Sequence, residues 1–168
     1  MPTHVITDPP QHLLAPPDRL DFHDRQVIAL PSPITAAQAS DMLRGHSQPL
    51  LRLAFRIRDA VSARFGVERI GGFSAQSAEG LRAGDRLDFF LVEHAAPGML
   101  VLTARDRHLD VMTCISSAGC ELAITSSVIV HNGFGRAYML VVGPAHRLIV
   151  WRMLRRLRRQ LRPPAQPA

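Results

Sequence analysis

The sequence predicts an α+β domain in which an antiparallel sheet packs against a long C-terminal helix. Three observations carry that prediction. Residues 86–131 contain four strand-like runs separated only by short turn signals. Residues from Asn132 to about Leu161 carry helix-spaced apolar positions with arginine on the other side. Between a first strand and the meander lie two shorter stretches with helix punctuation.

The elements follow in order. Asp21–Leu30 ends in Val27-Ile28-Ala29-Leu30 and reads as the first strand. Thr35 has the side chain of an N-cap, for a short helix ending near Gly45. Pro49 sits where helices start and Gly66 where they stop, so residues 50–65 read as a second helix. A weaker strand is expected over Gly72–Ser77. Then come Arg86–His94, Met99–Arg105, His108–Ser117 and Glu121–His131. Ala95-Ala96-Pro97-Gly98, Asp106-Arg107 and Ala118-Gly119 between them imply hairpins, hence an antiparallel meander. Asn132-Gly133-Phe134-Gly135 closes the sheet. This order, strand, two helices, meander and long helix, is the helix-grip arrangement of START-like domains, in which a curved sheet wraps the last helix.

Length and composition narrow the class. A chain of 168 residues suits one domain with one core. Apolar residues at 46% and charged residues at 20% are ordinary globular values. The prolines of residues 1–18 predict a flexible arm, residues 19–161 one domain, and the proline-rich residues 162–168 a disordered tail. All twenty basic residues are arginine against fourteen acids, a pattern read first as compositional bias rather than as phosphate recognition. Cys114 and Cys120 form neither a disulfide framework nor a zinc motif, so no metal and no cofactor is expected. Met1–Ala15 lacks the apolar run of a signal peptide, and no stretch is apolar enough to span a bilayer, which makes the cytoplasm the expected location.

On a helical wheel the arginines at 147, 152, 155, 156, 158, 159 and 162 share one half of the last helix. Ile149, Val150, Met153, Leu154, Leu157 and Leu161 share the other, while Leu148 and Trp151 fall among the arginines. The arginine half is read first as a solvated face. Arg152, Arg155, Arg156 and Arg159 are also candidates for contact with an anionic membrane or a partner protein, and nucleic acid is the weakest of the three. His146 falls at the centre of the apolar half. Within residues 50–65, Arg58 lands inside the apolar arc between Leu51 and Phe65. It therefore needs a carboxylate such as Asp110, carbonyls or a bound anion.

Strand alternation puts His108, Asp110, Met112 and Cys114 on one side and Leu109, Val111 and Ile115 on the other. His108 and Asp110 are thus expected as same-side neighbours, a candidate acid–base pair. On the next strand Leu122, Ile124, Ser126, Val128 and Val130 fall together.

Several short segments also carry a resemblance. Asp106-Arg107-His108-Leu109-Asp110, Val130-His131-Asn132, Gly135-Arg136-Ala137-Tyr138 and Pro144-Ala145-His146-Arg147 resemble the bacterial domain of unknown function 2867 family. Arg58-Asp59 and Phe65-Gly66-Val67 match the same pattern, and the likeness runs over roughly residues 18–158. The chain departs from it at Val111 and Ala145, where aromatics are expected, and after Pro49, where one is missing. The resemblance implies a START-like helix-grip domain of no settled activity. Some members are joined to short-chain-dehydrogenase-like domains, which implies a small-molecule role.

Three functions are compatible with these residues. The first is a non-enzymatic domain binding a small, largely apolar ligand between sheet and C-terminal helix, with Arg58, His108, Asp110, Tyr138 and His146 as candidate contacts. The second is an enzyme using His108 and Asp110 or His146 as acid–base groups, against which stands the lack of any nucleophile elbow, phosphate loop or HExxH motif. The third is a peripheral membrane or docking module acting through the arginine face.

Overall fold

A computed structural model describes residues 8–45 and 76–162. A 3-10 turn at Pro17–Arg19 leads into β1 (Phe22–Ala29) and α1 (Ala36–Arg44). The remaining strands are β2 (Arg86–Leu87), β3 (Phe90–Ala96), β4 (Met99–Arg105), β5 (Leu109–Ala118) and β6 (Glu121–Val130). The last element is α2 (Gly133–Gln160). The helix expected over 50–65, with Arg58, and all but the end of the strand expected over Gly72–Ser77 lie outside the described residues.

The six strands form one curved antiparallel sheet in the order β1-β6-β5-β4-β3-β2. The meander expected from the short turns is therefore present, and β1 returns to lie beside β6, Phe22 opposite Val128 and Ala29 opposite Glu121. One expected strand is divided. Arg86–His94 breaks at Asp88-Phe89, where Asp88 adopts φ 58° and Leu87 pairs back on Phe90. The reason is electrostatic as well as conformational. The Asp88 carboxylate is almost fully buried against the Arg44 guanidinium at 3.2 Å, and aspartate tolerates the left-handed region better than most residues.

The helices start where capping chemistry places them. Thr35 Oγ1 accepts from Gln38 N and Gln38 Oε1 accepts from Thr35 N, a reciprocal capping box. Asn132 accepts from Gly135 N and caps α2. The helix continues through Pro144, whose missing N–H leaves the Leu140 carbonyl without its usual donor.

The two faces of the sheet differ. Both helices cover the inner face, where Leu100, Leu102, Ile115, Leu122 and Ile124 meet Ala36, Ala39 and Leu43 of α1 and Val150, Leu154 and Leu157 of α2. Fully burying each leucine contributes about 1.5–3 kcal/mol, which anchors the C-terminal half of α2. The outer face buries Val101, Met112 and Cys114 under Leu14. Residues 8–14, within the expected N-terminal arm, lie across it. Pro9 is fully buried, Pro9 O accepts from Arg25, and Leu14 N donates to Ser127 Oγ.

Candidate functional site

The inner face is not apolar throughout. Along β1 the inward positions read Phe22, Asp24, Gln26 and Ile28, opposite Val128, Ser126, Ile124 and Leu122 of β6. Asp24 and Ser126 are cross-strand partners, so a polar band crosses the seam where the N-terminal half of α2 lies over β1 and β6. Gly143 lets the helix approach, since a Cβ there would stand 3.2 Å from the Phe22 ring.

His146 sits on this band. Its Nε2 is 3.5 Å from Ser126 Oγ, at the limit of hydrogen bonding, and its ring meets Phe22 edge-on at 5.9 Å between centroids. Nδ1 is out of contact with solvent and has no hydrogen-bond partner among the described residues. Burial pushes the imidazole below the ordinary histidine value of 6.5, Asp24 pulls it back up and Arg147 pushes it further down. The neighbouring polar groups are mutually satisfied. Gln26 Nε2 donates to Asp24 Oδ2 at 2.8 Å and to Arg147 O at 3.0 Å. Arg147 Nε lies 3.5 Å from Asp24 Oδ1, and its guanidinium stands 5.1 Å over Phe22.

The other described residues expected at a site are dispersed. His108 precedes β5 and is bound into a turn: Asp106 Oδ1 accepts from the backbone N–H groups of His108 and Leu109. Arg107 Nε donates to His108 Nε2 at 3.0 Å, and His108 Nδ1 contacts the Asn132 amide. The ring is thereby held between Arg107 and the Asn132 side chain, whose Oδ1 also caps α2. The Phe134 ring packs against this imidazole at 4.7 Å between centroids, tilted by 56°. Asp110 does not pair with His108. It pairs with His131 Nε2 at 3.1 Å, on the outer face with Met112 and Cys114 and hence on the far side of the sheet from His146. Tyr138 is half-buried on α2.

Among the described residues, the expected His146 lies on the seam, where Phe22, Asp24, Gln26 and Ser126 join it. The signal that could have found Asp24 and Gln26 is their parity: they alternate with the outward residues of β1 in phase with Phe22 and Ile28, polar side chains on an apolar face. No three His, Cys, Asp or Glu side chains converge as metal ligands among the described residues. An open concavity of about 320 Å³ lies elsewhere, between Pro33–Thr35, Pro97-Gly98 and Ser117, and holds none of the candidate residues.

Residues 17–153 match the family described as "Protein of unknown function (DUF2867)". The chain belongs to that family. The match spans β1 through most of α2, so the seam with Asp24, Ser126 and His146 lies wholly inside the DUF2867 region. No curated protein and no solved structure matches the chain.

Proposed function

We propose that this DUF2867 chain is a START-like helix-grip domain that binds a small, largely apolar molecule at the seam of α2, β1 and β6. The observation that carries this reading is His146 Nδ1, a buried polar atom unpartnered among the described residues. Leaving such an atom unmatched costs about 1–3 kcal/mol, an expense that a ligand hydroxyl or carbonyl would remove. Burial lowers the basicity of the ring and favours the neutral imidazole, so it suits an uncharged hydrogen-bonding group on an apolar body. Phe22 supplies the adjoining apolar wall.

Native mass spectrometry of the chain purified from its own host tests this. The expected result is a co-purifying small molecule that is lost in His146→Leu and retained in His131→Ala. Equal retention in both variants, or no bound mass in the wild-type protein, overturns the reading.

The juxtaposition of Asp24, Ser126 and His146 favours an acid–base enzyme as the second reading. The geometry supports it less well. In a nucleophilic triad the carboxylate orients the second ring nitrogen, whereas Asp24 is engaged by Gln26 and Arg147, and Ser126 is only 2% exposed.

A further inference from the structure

The outward face of α2 divides along its length. The stretch from Leu140 to Trp151 presents Leu140, Val141, Leu148 and Trp151, which are 79%, 72%, 45% and 46% exposed. The stretch after it presents Arg152, Arg155, Arg156, Arg158 and Arg159, all exposed, and no acidic residue occurs anywhere in Gly133–Gln160. Among the described residues, none of these five arginines lies within ion-pair distance of a carboxylate; Arg147, further back, reaches Asp24. From Leu140 to Arg159 this face extends about 28 Å. Four large apolar side chains grouped on one exposed helix face signal a partner rather than scattered surface residues.

Charge and order along the axis choose among partners. A second copy of the chain set parallel would bring arginines against arginines. Set antiparallel, it would bring them against leucine and valine. A bilayer with anionic headgroups meets both stretches at once when the helix lies tilted, the apolar stretch inserted and the guanidinium groups at the phosphates. Trp151 stands at the junction of the two stretches, the depth at which indole is favoured, with Arg155 4.6 Å over its ring.

We propose that the outward face of α2 docks on an anionic phospholipid bilayer, with Leu140, Val141, Leu148 and Trp151 inserted and Arg152, Arg155, Arg156 and Arg159 at the phosphates. This mode leaves the inner seam at His146 uncovered by lipid, so it stands independently of the ligand reading.

Trp151 is the only tryptophan of the chain, so its emission reports this face alone. The full chain would be mixed with vesicles of phosphatidylcholine, with and without roughly one third phosphatidylglycerol. The expected result is co-sedimentation with the anionic vesicles, a blue shift of emission, and release by high salt. Arg155→Gln with Arg159→Gln should weaken partitioning about 30-fold, and Leu148→Ser should reduce the blue shift without unfolding the chain by circular dichroism. Absence of binding to anionic vesicles, as for a face that meets an acidic protein, overturns the proposal. So does sedimentation with unchanged Trp151 emission, or binding indifferent to phosphatidylglycerol.

Discussion

His146 on α2 and Ser126 on β6 meet at 3.5 Å across the helix–sheet seam, with Asp24 directly opposite Ser126 on β1. Asp24 and Ser126 lie 102 residues apart in the chain, and Ser126 and His146 lie 20 apart, yet the three polar groups converge beneath one turn of helix.

The seam imposes a pH dependence with a definite sign. Burial holds His146 below its ordinary value of 6.5 in the folded chain, against the opposing pull of Asp24. As pH falls, the unfolded chain therefore takes up its proton first. The stability tied to neutral His146 is fully present above pH 6.5 and is lost as pH falls from there through the lower folded value. Urea midpoints of wild type and His146→Leu, measured from about pH 8 to about pH 5, should diverge below 6.5, with the wild type losing more. Parallel curves would contradict the assignment.

Gly135 is required by packing. A Cβ at this position would stand 2.6 Å from His108 O and 2.8 Å from Val130 Cγ1. Gly135→Ala should cost about 1–3 kcal/mol through forced displacement of the His108 backbone. Gly133→Ala, which meets nothing within 4 Å, should change stability by less than about 0.5 kcal/mol. Thermal melts of the two variants make the comparison.

Arg44 is the internal cation of the described structure. It reaches Asp41 at 2.6 Å, Asp88 at 3.2 Å and Gln76 O at 2.8 Å, with only 7% of its side chain exposed. Arg44→Met removes the cation beside a buried carboxylate and should cost about 3–5 kcal/mol. Adding Asp88→Gly, which suits the positive φ, should recover part of that loss in chemical denaturation.

The capping box of α1 is a local contribution. Thr35→Ala should destabilise by about 1 kcal/mol, and Thr35→Ser by much less. Denaturation midpoints that do not separate the two would argue that the cap carries no stability.

The legible part of this fold rests on short-range chemistry. The turns at Pro97-Gly98, Asp106-Arg107 and Gly119 lie between strands that had to pair as hairpins, and Met99–Arg105 has the bounds its alternation implies. Thr35 and Asn132 start their helices through side chains three residues from the N–H groups they satisfy. Leu148 and Trp151 fall on the outward side, as the wheel requires. The helix expected over 50–65 and Arg58 lie outside the described residues.

Partnerships across elements were a different matter. Alternation placed His108 and Asp110 on one side of a strand, which is a statement about direction and not about contact. His108 lies just before β5 begins, held by Asp106 and Asn132, so it belongs to the turn and the cap of α2; Asp110 found His131 instead. Likewise the break at Asp88 depended on Arg44, a residue of another element. By itself the sequence determined the α+β class, the meander and which residues of β5 and of β6 share a side, because periods of two and of 3.6 residues are properties of one segment of backbone. Only the tertiary structure decided that Asp24, Ser126 and His146 share one seam, because that convergence depends on how β1 registers on β6 and how closely Gly143 lets α2 descend on Phe22.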